Sequence, residues 1–231
     1  MKNILIIKCG ETLPQIKSKY GDFEDWIIRM SGLAPDNFRI TNLPAGDALR
    51  HPDDFSATVI SGSHFNTNQR FPWLKQLRNW VVTARYSNAT VLGIGFGFQI
   101  IAEALGGKVN VNNDGPVLKT SFIHLSPAGK SDPLFYNIGN SFESYLNFAR
   151  NVSFLPPEME ILAKNSSGII MAAKINNIYG IQFHPEILEE VFKMYVKSSS
   201  LPISAHLGVK LKSEHKNWSI LPNFFKFFQN L

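Results

Sequence analysis

Short apolar runs alternate along this chain with stretches whose apolar residues recur at helical spacing, the pattern of a sheet covered by helices. Ile4 to Lys8 reads as a buried strand, Phe38 to Leu43 as a second, and Ala57 to Ile60 as a third. Phe23, Trp26, Ile27 and Met30 share one helix face, and Gly32 stops that helix. Trp73, Leu74, Leu77, Trp80 and Val81 follow the same rule, with Pro72 in the first turn, where a missing N–H costs little. Thr90-Val91-Leu92-Gly93 then gives a strand, a glycine-rich turn and a helix over Gln99 to Leu105 that ends at Gly106-Gly107. Five β-like runs follow: Lys108 to Val111, Val117 to Ile123, Glu160 to Lys164, Ile169 to Ala173 and Ile178 to Phe183. They predict an antiparallel excursion added to a parallel sheet. Leu188 to Lys197 is helical, and Leu221, Phe224, Phe225, Phe228 and Leu231 form an apolar face in the tail. A helix docked on its own domain explains that face better than one lying on a membrane, and self-association or docking of a partner protein through this aromatic tail is a further expectation.

Composition narrows the picture. The 231 residues, 44% hydrophobic and 18% charged, suit one α/β domain over 1–231, with no repeat or linker. No stretch reaches the roughly 18–20 apolar residues of a membrane span. The first residues lack the long apolar core and cleavage site of a signal peptide, so the expected location is cytoplasmic. Cys9 is the sole cysteine, which excludes an internal disulfide, and the six histidines show no metal-ligand spacing, so no metal or other cofactor is expected. The net charge is +5, but the basic residues are dispersed, and Lys210, Lys212 and Lys216 have no arginine cluster beside them. Nucleic acid is therefore not an expected partner.

Three segments carry chemistry. Gly93-Ile94-Gly95-Phe96-Gly97 has the outline of a nucleophile elbow, in which the central residue projects above the sheet and the next amide faces a substrate carbonyl. Gln182-Phe183-His184-Pro185-Glu186 supplies a histidine at a strand end with a carboxylate two residues on, the pair that takes a nucleophile's proton and stabilises the imidazolium. Ser61-Gly62-Ser63 ends a strand in a turn able to aim N–H groups at an oxyanion. Together with Gly21-Asp22-Phe23-Glu24-Asp25-Trp26, Phe71-Pro72-Trp73-Leu74 and Ala102-Glu103-Ala104-Leu105-Gly106-Gly107, these resemble the class I (triad) glutamine amidotransferases, especially the stand-alone proteins similar to the glutaminase domain of GMP synthase.

That resemblance implies a flavodoxin-like α/β fold, with a mostly parallel central sheet, helices on both faces and a small antiparallel excursion. It implies glutamine amide hydrolysis through a cysteinyl thioester, with ammonia passed to an acceptor. The chain departs from the family pattern G-I-C-x-G-H-Q at two positions: Gly95 stands at the cysteine and Phe98 at the histidine. A third departure is expected at Glu143-Ser144-Tyr145, where Tyr145 replaces the histidine of a substrate-binding Ser-His pair. The expected site is thus His184 and Glu186 beside a vacant nucleophile position at Gly95. Gly62, Ser63, Phe96, Gln99, Phe98 and Tyr145 form the oxyanion and substrate wall. Phe98 predicts a pocket less polar than one for a free amino acid.

Glycine cannot attack a carbonyl, so a binding or regulatory role follows, with a small carbonyl or carboxylate compound such as glutamine as ligand. The alternative is weak hydrolysis of a glutamine or γ-glutamyl amide with His184 as general base toward water. Cys9 would need to reach His184 from another strand to substitute. No G-x-x-x-x-G-K-[ST] loop occurs, so an ATP-dependent step would require a partner protein.

Overall fold

A computed structural model describes residues 3–199 and 216–228. Four strands, β1 (Ile4–Lys8), β2 (Phe38–Asn42), β3 (Ala57–Ile60) and β4 (Val91–Ile94), lie parallel with β11 (Ile178–Ile181) in the order β2-β1-β3-β4-β11. The sheet continues antiparallel through β10 (Ile170–Ile175), β9 (Glu160–Asn165), β6 (Val117–Leu125) and β7 (Ser141–Phe148). A separate ribbon pairs β5 (Lys108–Val111) with β8 (Arg150–Phe154). Of the five runs expected in the antiparallel excursion, β6, β9 and β10 extend the main sheet together with β7, β5 lies in the ribbon, and β11 instead joins the parallel part beside β4; β7 and β8 are additions to the expected elements.

Strand alternation divides the core into two layers, because successive side chains leave a strand on opposite faces. Ile4, Ile6, Val59, Leu92, Tyr179 and Ile181 enter one apolar cluster, while Leu5, Ile7, Ile60, Val91 and Ile178 enter the other. The first layer is covered by Ile27 of α2 (Phe23–Ser31) and by α7 (Ile220–Phe228). The second is covered by α3 (Pro72–Tyr86) and α4 (Phe96–Ala104). Helix α1 (Pro14–Tyr20) packs with α6 (Glu189–Ser198) near Trp26 and Tyr145, and α5 (Pro127–Ser131) completes the set.

The tail helix is docked on its own chain, as its apolar stripe predicts. Ile220, Leu221, Phe224 and Phe225 are buried, Phe225 meets Phe38 edge-on, and Asn223 Nδ2 donates to the carbonyls of Leu134 and Tyr136 at 3.1 and 2.9 Å. Phe228 and Leu231 of the predicted stripe have side chains outside the described residues, as do Lys210 and Lys212. None of the described helices is long and apolar enough to cross a membrane.

Strand β1 ends in Lys8, buried between Asp22 at 2.7 Å and Glu24 at 2.6 Å. Asp22 also accepts the Thr12 and Phe23 amides, at 2.8 and 2.9 Å, and caps α2. This network fixes the loop after β1 against the start of α2, setting Leu13 and Phe23 at the carboxyl edge of the parallel strands. That edge, where α/β sheets bind ligands, holds the cavity described next.

Candidate functional site

At the β4–α4 junction the chain reverses within a few residues. Gly95 has φ +55°, outside the range most side chains tolerate, and its N–H is held by the Ile181 carbonyl at 2.7 Å. Gly97 lets α4 sit directly on β3: a Cβ there would lie 2.4 Å from the Ile60 carbonyl oxygen. The sharp turn of a nucleophile elbow is therefore kept although its apex carries no side chain.

Opposite this apex lies His184. Its N–H donates to the Tyr145 carbonyl at 3.0 Å, which fastens the backbone after β11 to β7. A Cβ built on Gly95 would stand 2.9 Å from His184 Cε1 and 3.2 Å from Nε2. The imidazole therefore leans into the space a side chain would occupy. His184 Nδ1 bonds Glu186 Oε1 at 2.7 Å, and Nε2 is buried without a hydrogen bond. Burial opposes a charge on His184, but the Glu186 carboxylate and its hydrogen bond, with help from the Asn147 backbone, outweigh it and raise the pKa above 6.5.

This shift makes a pH prediction. Because the folded-state pKa is raised, the pair's stabilisation is complete below 6.5 and is lost as pH rises through the folded value. Glu186→Gln is expected to cost roughly 3 kcal/mol at about pH 6, by stranding a buried cation, and clearly less at about pH 9. Denaturant melts at the two pH values measure it, and equal losses would contradict it.

Among the described residues, the candidate nucleophiles of the neighbouring strand ends, Ser61, Ser63 and Cys9, are engaged or buried, and the hydroxyls of Ser198 and Ser199 also line the cavity. Ser63 Oγ donates to the Cys9 carbonyl at 2.9 Å and accepts the Phe65 amide at 3.0 Å. Ser61 Oγ is held by the Gly62 carbonyl and the Cys9 amide. Cys9 is fully buried, with Sγ 3.7 Å from the Ile7 carbonyl, and burial drives its thiol pKa far upward. It is a core thiol, as expected from its place in β1's extension.

The cavity beside His184 measures about 420 Å³. Of the residues expected from sequence, Ser63, Phe96 and Gln99 line it, and Gln99 Nε2 donates to the Arg150 carbonyl at 2.8 Å. Gly62 faces His184, its built Cβ lying 3.6 Å from Cε1.

Two expected wall residues lie elsewhere. Phe98 is fully buried in the core beneath α4, its ring pressed against Gly180, where a Cβ would sit 1.9 Å from Phe98 Cδ2. It fills the helix–sheet interface and does not make the pocket apolar. Gly180→Ala is expected to cost about 3 kcal/mol through overpacking, and adding Phe98→Leu should recover much of it. Melting curves of the single and double variants decide this, since strictly additive losses would place the ring elsewhere. Tyr145 likewise points away: its ring stacks on Phe192 of α6 at 4.2 Å, and only its carbonyl serves His184. Asn147 and Phe148 of β7, Ala149 after it and Arg150 at the start of β8 form the wall instead.

Many lining residues were absent from the sequence-based set, among them the polar His64, Arg150 and Gln182. His64 follows the turn after β3 and packs near Phe23 and Tyr195, at ring distances of 6.0 and 5.8 Å. Desolvation between the cavity walls, then repulsion from His184, lowers its pKa. Among the described residues there is no cluster suited to a metal ion.

The pattern that defines class-I glutamine amidotransferases matches residues 34–200. The chain belongs to that family. It is 30% identical over 141 residues to a glutamine-hydrolysing GMP synthase of Thermomicrobium roseum, covering 61% of this chain and 25% of that protein. It is 38% identical over 99 residues to one subunit of the glutamine-hydrolysing GMP synthase of Methanosphaera stadtmanae, covering 42% and 51%. The chain thus spans from a quarter to half the length of these two relatives. A glutamine amidotransferase from Thermotoga maritima superimposes with a TM-score of 0.78 over 100% of both chains at 16% identity, which shows the shared fold of this amidotransferase-like chain.

Proposed function

We propose that this family member binds a ligand beside His184 without hydrolysing glutamine through a covalent intermediate. The supporting observation is the geometry at Gly95: the apex of the elbow faces Cε1 and Nε2 of His184 and presents only hydrogen. A covalent acyl intermediate needs a nucleophile at that point, and the thiol of Cys9 and the hydroxyls of Ser61 and Ser63 are each engaged elsewhere. The remaining parts suit recognition. Glu186 orients the imidazole, Gly62 and Ser63 with the Phe96 amide surround the position of a bound carbonyl, and Gln99 braces the facing wall through Arg150.

Water activated by His184 is the second reading, favoured by an Nε2 that has no hydrogen-bond partner among the described residues but is itself buried. The raised pKa works against it, because it lowers the share of neutral imidazole able to accept a proton. In this proposal any ammonia acceptor or ATP-dependent step belongs to a partner protein, in keeping with GMP synthases that are much longer than this chain. The test is ammonia release from glutamine by the wild type beside a His184→Ala control. Release indistinguishable from the control is expected; clear excess over it would overturn the proposal.

A further inference from the structure

Gln182 is the most unusual polar group in the cavity. It is fully buried and lines the cavity, yet neither Oε1 nor Nε2 has a hydrogen-bond partner among the described residues. A buried amide left unsatisfied costs about 1–3 kcal/mol per group, so its retention here signals a partner that arrives from outside. Strand alternation explains the placement. Phe183 enters the apolar layer beneath the sheet, while Gln182 shares the opposite face with His184, two residues on.

From this we infer that the cavity takes an uncharged primary carboxamide carried on an aromatic or branched apolar body, in preference to free glutamine. The inference rests on the non-covalent reading of the site. A side-chain amide presents a donor and an acceptor together, and another primary amide is the complement of both. The ligand carbonyl accepts from Gln182 Nε2, and the ligand N–H donates to Gln182 Oε1. A carboxylate would satisfy only Nε2 and would set its charge against the Oε1 dipole.

Charge argues against an amino acid. Arg150, His64 and His184 line the cavity, and no Asp or Glu is among the described lining residues. Glu186 stands behind His184, engaged at Nδ1. Arg150, whose Nε is buried and unpartnered, would meet an α-carboxylate, but an α-ammonium would find no anion and a neighbouring imidazole of raised pKa. Leu13, Phe23, Phe65, Phe96, Phe148 and Ile187 supply the apolar part of the wall, beside the uncharged polar Asn66, Asn147, Ser198 and Ser199. A volume of about 420 Å³ accommodates a ring as well as the amide.

The experiment is calorimetric titration of the full chain with 3-phenylpropanamide, 3-phenylpropanoate and L-glutamine, repeated on Gln182→Met. The amide is expected to bind at least about tenfold more tightly than the acid or glutamine. Gln182→Met should lose at least about tenfold in amide affinity, the loss of hydrogen bonds to a buried group. The same variant should melt no lower than wild type, since it exchanges an unpaired amide for an apolar chain of similar length. Equal amide affinity in Gln182→Met, stronger binding of the acid or of glutamine, or no binding of any probe would overturn the inference. Glutamine bound best without ammonia release would do so while leaving the non-covalent reading intact; ammonia release would remove that reading itself.

Discussion

Glutamine turnover is expected to fall about a million-fold below that of a cysteine-bearing triad enzyme, a barrier increase of roughly 8 kcal/mol. The loss is chemical before it is structural. A triad lowers the barrier by dividing amide hydrolysis into two steps through a covalent intermediate, and glycine has no atom that can form the bond. His184 and Glu186 hold the distance and burial of an acid–base pair, 2.7 Å apart, yet have no thiol to deprotonate at Gly95. The oxyanion surroundings and binding energy would still leave about 10³–10⁴ over the reaction in water, which sets the floor of the measurement. Ammonia release at high protein concentration reads it, and turnover within a hundredfold of an ordinary triad enzyme would refute the account.

Removing residues 216–231 is expected to abolish cooperative folding. Four side chains of α7 (Ile220, Leu221, Phe224 and Phe225) are buried against the sheet layer that holds Phe38 and Tyr179. At about 1.5–3 kcal/mol each, their burial contributes roughly 6–12 kcal/mol, as much as the whole stability of a typical domain. The exposed sheet face would then be an extended apolar patch prone to association. Thermal unfolding followed by circular dichroism is the check. A truncated chain that melts within a few degrees of the full one would show that α7 is an accessory.

The parallel half of the fold was legible because its strands are short continuous apolar runs separated by helices with clean stripes and glycine stops. Strand β7 was not. Its sequence, Ser-Phe-Glu-Ser-Tyr-Leu-Asn-Phe, buries Glu143 and Ser144 with their apolar neighbours, so neither alternation nor an apolar run marks it. The meeting of Gly95, His184 and Glu186 was readable from local motifs, since an elbow and a strand end each impose their own geometry. The wall was harder. Phe98 lies three residues beyond the elbow's apex, but the glycine that accommodates its ring is Gly180, on a strand far along the chain. A local pattern suggests Tyr145, whereas the register with β6 and the bridge to His184 turn its ring toward α6. Gln182 did carry a signal: it directly follows β11 and stands two residues before His184, so alternation continued past the strand end places both on one face.

The claim on which all of this depends is the absence of a reactive side chain within reach of the His184 imidazole. Intact-mass spectrometry after incubation with a chloroketone analogue of glutamine tests it most directly. An unchanged mass is predicted, since Cys9 is buried and held as a neutral thiol. A stoichiometric adduct that maps to a cavity residue other than His184 itself and is lost in His184→Ala would contradict it.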